Sequence, residues 1–106
     1  MDPVQAQLEA YNARDVERFV ACYTEDVVIE DGAGNLMMKG RDAMRERYGP
    51  MFAQYPELHC RIVNRIRIND YVVDEERITG RGPTEQHAVA IYRLEGDLIA
   101  HVRFLK

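Results

Sequence analysis

The sequence predicts an α+β fold in which three helices pack against a mostly antiparallel sheet. In the first half of the 106-residue chain, apolar residues recur every three or four positions, which is the spacing of an amphipathic helix. In the second half they alternate with polar residues, as in half-buried strands. Turn sequences such as Asn69-Asp70 separate these alternating runs. Helices followed by consecutive strands with short connections are typical of an α+β fold.

The first element is predicted to be a helix that bends into a second, shorter one. Helical spacing covers residues 3–23, with Asp2 placed as the N-cap and Pro3 at the first helical position. Residues 12–15 interrupt the pattern, and the side chain of Asp15 can accept a backbone N–H at the start of a second helix. We therefore expect two short helices.

A β-hairpin and a third helix are predicted next. Residues 26–31 form a β-branched run that ends at a glycine-rich turn, and residues 36–38 return as a short strand. Residues 41–55 carry apolar side chains at helical spacing, and Pro56 ends this pattern. We expect Gly49-Pro50 to kink the third helix.

The rest of the chain is predicted to form a meander of antiparallel strands. The first of these strands collects five apolar residues on one parity: Leu58, Cys60, Ile62, Ile66 and Ile68. A turn at Asn69-Asp70 leads into the next strand at Tyr71, and a second turn lies at residues 80–83. The last two strands are expected at residues 88–94 and 98–105.

The composition is that of a globular protein, with 46% hydrophobic and 30% charged residues. The formal charge is −4, and the basic residues are scattered among acidic ones, so we expect no nucleic-acid partner. Arg61, Arg65 and Arg67 form a local basic run. This run is either a solvated face or part of a pocket or subunit interface.

Cys22 and Cys60 are expected to be reduced and packed, because neither belongs to a CxxC motif or a metal-ligand spacing. The N-terminal residues lack a basic segment followed by an apolar run. No stretch approaches the ~20 apolar residues of a membrane span. We expect a cytoplasmic protein with no membrane partner.

Four segments in order carry a resemblance to a known family: Tyr11-Asn12-Ala13-Arg14-Asp15, Cys22-Tyr23-Thr24-Glu25-Asp26-Val27-Val28-Ile29-Glu30-Asp31, Gly40-Arg41-Asp42-Ala43-Met44 and Tyr92-Arg93-Leu94-Glu95-Gly96-Asp97-Leu98-Ile99. Together they resemble the SnoaL-like and ketosteroid-isomerase-like members of the nuclear transport factor two-like superfamily. The resemblance implies one domain over residues 1–106, shaped as a cone, in which three helices and a curved mixed sheet enclose a largely apolar pocket. Such pockets bind small hydrophobic molecules. It also implies a homodimer, which would help a core of this size.

The resemblance places Asp31 where ketosteroid isomerases carry their general base. Proton abstraction would need a pocket that moderately desolvates this carboxylate and so raises its pKa. The alternative is that Asp31 caps the glycine-rich turn. The tyrosine and the protonated aspartate that stabilise the enolate in those isomerases fall here at about Gln7 and Ala90. A standard ketosteroid isomerase is therefore not expected.

The other candidate pocket residues lie on the third helix and on two strands. Tyr48 matches a tyrosine of the isomerase donor network, and Phe52 follows it on the same helix; both are equally compatible with plain core packing. His101 and Arg103 share a face with Leu105, and the resemblance turns this face toward the cavity. The alternative parity would place Ala100, Val102 and Phe104 in the core instead.

Glu75 and Arg77 present the same choice of face. They form either an ionic network in the pocket or a solvated pair, and in the pocket case Asp74 and Glu76 would point outward. His59 and His87 have no carboxylate or cysteine at metal-ligand spacing, and the sequence lacks nucleotide-binding and nucleophile motifs. We expect no metal and no cofactor.

Three functions follow from these expectations. The first is a small-molecule-binding protein or cofactor-free isomerase or cyclase that acts on a hydrophobic carbonyl compound. Here Asp31 is the base, and Tyr48 with His101 or Arg103 supports it. The second is a non-catalytic homodimeric binding or interaction module. The third is a hydrolase or dehydratase, which other superfamily members are.

Overall fold

The computed structural model describes residues 2–106, and these form three helices packed on one face of a six-stranded sheet. The helices are α1 (Pro3–Asn12), α2 (Val16–Val20) and α3 (Gly40–Gln54). The strands are β1 (Tyr23–Asp31), β2 (Leu36–Lys39), β3 (His59–Ile68), β4 (Tyr71–Thr79), β5 (Gln86–Glu95) and β6 (Leu98–Leu105). In the order β2-β1-β6-β5-β4-β3, β1 and β6 are parallel and all other neighbours are antiparallel. The predicted α+β fold with a mixed, mostly antiparallel sheet is confirmed, and the sheet is open at both edges.

Short polar side chains set the helix starts, as predicted. One carboxylate oxygen of Asp2 accepts the backbone N–H groups of Val4 and Gln5, both at 3.2 Å, which satisfies donors that have no partner inside α1. Asp15 accepts the N–H of Arg18 at 3.1 Å in the same way. The third helix continues through Pro50 as far as Gln54. Within residues 2–106, no helix has the length and apolar character needed to cross a membrane.

Strand β3 changes the face on which its side chains lie. Its register with β4 shifts between Ile62 and Asn64, and such a bulge adds one residue to one strand, which reverses the alternation beyond it. Before the shift Cys60 is buried, whereas beyond it Ile66 and Ile68 are 54% and 60% exposed. The predicted continuous apolar face of this strand is therefore wrong beyond Ile62.

The turn between β4 and β5 depends on Gly80. This residue has φ of +85°, and a Cβ atom there would lie 2.0 Å from the backbone oxygen of Glu57. A glycine is required because the turn passes directly against the chain entering β3, and because other residues rarely adopt this backbone conformation. The contact fixes the turn beside the end of α3.

The helices and the sheet share an aromatic cluster. Phe19 on α2 is at its centre, with ring centroids 4.7 Å from Tyr48, 5.2 Å from Tyr23, 5.6 Å from Phe52 and 6.0 Å from Tyr11. Tilted and edge-on ring contacts at these distances stabilise a core beyond simple burial. The cluster joins the helices to β1 and forms one wall of the cavity described next.

Candidate functional site

A cavity of about 130 Å³ lies between the helices and the face of the sheet that they cover, which we call the inner face. Its wall is largely apolar and includes Leu8, Met37, Met38, Met51, Ile78 and Phe104. A few polar side chains interrupt this wall, as is usual in sites for small molecules. Three exposed cationic side chains complete the lining at the opening: Arg47, Arg81 and Lys106.

Strand β4 places two carboxylates on the inner face. Asp74 and Glu76 alternate with outward residues, and they are only 0% and 5% exposed. Across the ladder, Asp74 is paired with Ala90 and Glu76 with Ala88. Because alanine fills little volume, these pairings leave room beside the two carboxylates. Each buried carboxylate then needs a compensating partner.

Asp74 has such a partner in Arg65. The guanidinium donates to both carboxylate oxygens, at 2.6 and 2.9 Å, in the bidentate geometry that is strongest for this pair. The bulge in β3 is what turns Arg65 inward to reach Asp74. This part of the basic run is therefore neither solvated nor part of the cavity wall; it neutralises a buried carboxylate.

Glu76 has no ion pair with any residue in the described range 2–106. The hydroxyl of Tyr92 donates to its carboxylate at 3.5 Å, and the Cys60 thiol lies beside the same carboxylate. Burial, followed by the charge of Asp74, raises the pKa of Glu76 from 4.5 to about 7, although Lys106 acts in the opposite direction. At neutral pH this carboxyl group therefore exchanges readily between its two protonation states.

A directed chain of hydrogen bonds leads to Glu76. The Tyr23 hydroxyl donates to the side-chain oxygen of Gln7 at 3.1 Å, and the Gln7 amide donates to the Tyr92 hydroxyl at 3.2 Å. Tyr92 in turn donates to Glu76. Burial raises the pKa of Tyr23 and of Tyr92 well above the ordinary value, so both phenols remain protonated donors.

Two further phenols face the cavity without hydrogen-bond partners among residues 2–106. These are the hydroxyl groups of Tyr11 on α1 and Tyr48 on α3. Burial raises the pKa of Tyr48 to about 12, with a further contribution from the charge of Glu76. Each phenol keeps its proton at neutral pH and can donate it in a hydrogen bond to a ligand.

Asp31 does not line this cavity. One of its oxygens accepts the backbone N–H groups of Ala33 and Asn35, both at 2.9 Å, and the other accepts the Asn35 amide at 3.1 Å. These hydrogen bonds, those from Asn35 first, lower the pKa of Asp31. The side chain caps the glycine-rich turn and borders a second, more open cavity of about 390 Å³ at the end of β1. The environment is the opposite of the moderately desolvated one that a general base needs.

His101 and Arg103 lie on the outer face of the sheet, which the helices leave uncovered. There His101 contacts Glu30 on the parallel strand β1, and Arg103 reaches the same carboxylate at 3.4 Å. Ala100, Val102 and Phe104 take the inner positions of β6, and Val102 is fully buried. The parity suggested by the resemblance is thus reversed on this strand.

Glu75 and Arg77 also lie on the outer face, where Glu75 pairs with His87 at 2.7 Å. Their expected inner position is corrected by the burial of Asp74 and Glu76. Tyr48 lines the cavity, while Phe52 is buried behind it in the aromatic cluster. The predicted ligand-binding role of Tyr48 stays a prediction.

Sequence reasoning missed Glu76 because adjacent acidic residues occupy both faces of β4. One signal favoured it: Glu76 shares its parity with Val72 and Ile78, while the outer parity carries Glu75 and Arg77. Tyr71 and Val73 on the outer parity weaken that signal. The choice of face required the packed structure.

Comparison with known proteins identifies the family. A SnoaL-like domain model matches residues 4–102. The chain belongs to the SnoaL-like domain family. A search of curated proteins found no significant match.

Solved structures share the whole fold. An uncharacterised cystatin-fold protein from Novosphingobium aromaticivorans is 29% identical, with a TM-score of 0.91 over 100% of this chain and 99% of that one. A candidate polyketide cyclase from Sinorhizobium meliloti is 16% identical, with a TM-score of 0.82 over 96% and 92% of the two chains. A hypothetical protein from Catenulispora acidiphila that has a ketosteroid isomerase-like fold, in complex with trimethylamine, is 20% identical, with a TM-score of 0.78 over 96% and 82% of the two chains. These last two likenesses concern the fold alone.

Proposed function

We propose that this SnoaL-like protein binds a small hydrophobic carbonyl compound in the cavity and catalyses proton transfer on it, as a cofactor-free isomerase or cyclase. The observation that carries the proposal is Glu76. It is a buried carboxyl group without an ion pair among residues 2–106, its pKa is raised to about 7, and it faces a cavity whose wall is largely apolar. A general base works best when its pKa is near the operating pH.

The tyrosines supply the second requirement of this chemistry, which is a hydrogen-bond donor for the developing enolate. When ionised Glu76 removes a proton from the carbon next to a carbonyl group, the C–H electron pair moves toward the carbonyl oxygen. The unpartnered hydroxyl of Tyr48 or Tyr11 can donate a hydrogen bond to that developing enolate oxygen. If the substrate has a C=C bond conjugated with this enolate, protonated Glu76 then returns the proton to the far carbon of that bond and the double bond moves, which completes an isomerisation. Attack of the enolate carbon on a second carbonyl group would instead close a ring, and the alkoxide formed would take the proton from Glu76.

The hydrogen-bond chain has a positioning role in this scheme. The hydroxyl of Tyr92 touches Glu76, and its own orientation is set by Gln7 and Tyr23. Holding the carboxyl group in one orientation reduces the reorganisation needed for proton transfer. Cys60 is not assigned a nucleophilic role, because burial raises the pKa of its thiol and keeps it protonated.

Cavity size limits the substrate. About 130 Å³ is close to the roughly 150 Å³ of an apolar cavity that holds benzene. One six-membered ring or a short chain fits inside, and a larger substrate would have to extend through the opening. We therefore propose a monocyclic or linear carbonyl compound.

The test is hydrogen exchange next to a carbonyl group. The protein is incubated in D₂O with 1-phenylbutan-1-one, and loss of the α-proton signal is followed by NMR. We expect exchange above the buffer rate, and a roughly 10²- to 10⁴-fold slower rate for Glu76→Gln. Glu75→Gln is the matched control, since its side chain lies on the other face of β4. Equal rates for Glu76→Gln and the wild type would contradict the assignment of the base.

A second proposal concerns assembly: the outer face pairs with a second copy of the chain. It exposes Ile66, Ile68 and Tyr71 at 54%, 60% and 44%, next to one another on β3 and β4. An apolar patch of this kind is typical of an interaction surface, and identical copies most often pair about a two-fold axis. Light scattering should give twice the chain mass, and Ile66→Lys should give the monomer. A monomeric wild type at micromolar concentration would refute the pairing.

A further inference from the structure

We propose that the substrate carries a carboxylate, which Arg47, Arg81 and Lys106 hold at the opening while the carbonyl-bearing part enters the cavity. The substrate class is then a small keto acid and not a neutral ketone. This inference rests on the proposed function, because it concerns the same cavity.

The three cations come from separate parts of the chain. Arg47 lies on α3, Arg81 in the turn between β4 and β5, and Lys106 directly after β6. All three line the cavity. Three distant segments thus bring positive charge to one opening, although the chain as a whole carries a formal charge of −4.

None of these three side chains forms an ion pair within residues 2–106. Arginines elsewhere in the structure do: Arg45 pairs with Glu17, and Arg65 pairs with Asp74. Among the side chains that line the cavity, only that of Glu76 is a carboxylate. Its charge interacts with that of Lys106, but it forms no ion pair with any of the three cations. No side-chain ion pair within residues 2–106 therefore neutralises the positive charge at the opening.

Repulsion among these like charges raises the free energy of the unliganded opening. The pKa of Lys106 is lowered, first by partial desolvation and then by the charges of Arg81 and Arg47, although the charge of Glu76 acts in the opposite direction. An anion placed among the three groups would relieve their repulsion and would accept several charge-assisted hydrogen bonds. A carboxylate fits this position, and the forked donors of arginine suit it well.

The arrangement also orients the substrate. A carboxylate at the opening leaves the rest of the molecule to enter a space of about 130 Å³, where the wall is apolar. Glu76 and the free hydroxyls of Tyr11 and Tyr48 then face the inserted part. Because ionised Glu76 would repel a second anion, the acidic end is directed away from it and toward the cations.

Three probes that share one ring test the inference by calorimetry: 4-oxo-4-phenylbutanoate, neutral 1-phenylbutan-1-one and the cation trimethyl(4-oxo-4-phenylbutyl)ammonium, whose quaternary nitrogen cannot condense with its own carbonyl group. We expect the acid to bind at least about tenfold more tightly than the ketone at low salt, and its advantage to shrink when about 0.15 M salt screens the opening. The ketone affinity should not respond to salt.

Variants locate the effect. Arg47→Gln and Arg81→Gln should each weaken binding of the acid severalfold and leave the affinity for the ketone unchanged. Arg61→Gln removes the same charge from the outer face of β3 and should change neither affinity. Glu76→Gln should retain or improve acid binding while slowing proton exchange. That result would separate the charged opening from the proposed catalytic group.

The outcomes distinguish the two proposals. If the ketone binds and the acid binds no more tightly, or if the ammonium cation binds best, the keto-acid inference is overturned and the proposed function stands. If neither the ketone nor the acid binds, the proposed function is overturned, and the inference fails with it. A salt-sensitive preference for the acid that Arg47→Gln and Arg81→Gln both reduce would support the inference.

Discussion

Replacement of Glu76 by glutamine should reverse a pH-dependent loss of stability. In the unfolded chain this carboxyl group ionises near its ordinary pKa of 4.5, whereas burial raises its pKa in the folded protein to about 7. Below pH 4.5 both states hold the proton. Between the two pKa values only the unfolded state ionises, so the folded state loses stability as the pH rises. The loss levels off above about pH 7.

The size of the effect follows from the two pKa values. The difference between 4.5 and about 7 corresponds to about 3 kcal/mol, since one pKa unit is worth about 1.4 kcal/mol. Glutamine has nearly the same shape and no charge, so Glu76→Gln removes this penalty. Any cost of the new amide group is independent of pH. The stability difference between variant and wild type should therefore grow by about 3 kcal/mol from about pH 4 to about pH 8.

Urea denaturation followed by circular dichroism measures this difference. A change of that size moves the denaturation midpoint by roughly 1–3 M urea for a domain with an ordinary denaturant slope. Glu46→Gln is the control here, because its carboxylate is exposed on α3 and has no ion pair among residues 2–106. It should follow the wild type throughout. Parallel pH dependence in the wild type and Glu76→Gln would refute the view that Glu76 is buried with a raised pKa.

Three further perturbations test the packing and the site. Tyr48→Phe should slow α-proton exchange roughly tenfold or more by NMR, since one hydrogen-bond donor to the enolate is lost, and an unchanged rate would leave that role to Tyr11. Arg65→Met should lower the free energy of unfolding, measured by urea denaturation, by about 3–5 kcal/mol, because it leaves the buried charge of Asp74 without a partner. The further change Asp74→Asn should restore part of this stability. A loss below about 1 kcal/mol would contradict a buried ion pair. Gly80→Ala should lower the melting temperature measured by calorimetry, since its Cβ would collide with backbone, and an unchanged value would show that the turn relaxes freely.

The element order could be predicted because its determinants are local. Asp2 and Asp15 cap the helices that follow them, and Asn69 takes a positive φ of 51° in the predicted turn before β4. Each of these features depends on residues only a few positions apart. The parallel pairing of β1 with β6 joins residues more than 70 positions apart, and the family resemblance implied only that the sheet is mixed.

The candidate site was harder to predict from the sequence, since period-two alternation identifies two faces of a strand without saying which one the helices cover. On β6, either His101 or Val102 could therefore lie on the inner face, and the structure buries Val102. On β3 the bulge after Ile62 reverses the alternation, and nothing in the local sequence marks it. Arg65 therefore turns inward, where the sequence pattern placed Ile66.

By itself, the sequence determined the helices, strands, turns and family of this protein, because capping, turn chemistry and periodicity act between near neighbours. Only the tertiary structure decided that Glu76, and not Glu75 or Asp31, faces the cavity between the helices and the inner face of the sheet. That decision depends on which sheet face the helices cover, and a shift of one residue exchanges the two faces. The raised pKa of Glu76 has the same origin, since desolvation comes from side chains on distant elements.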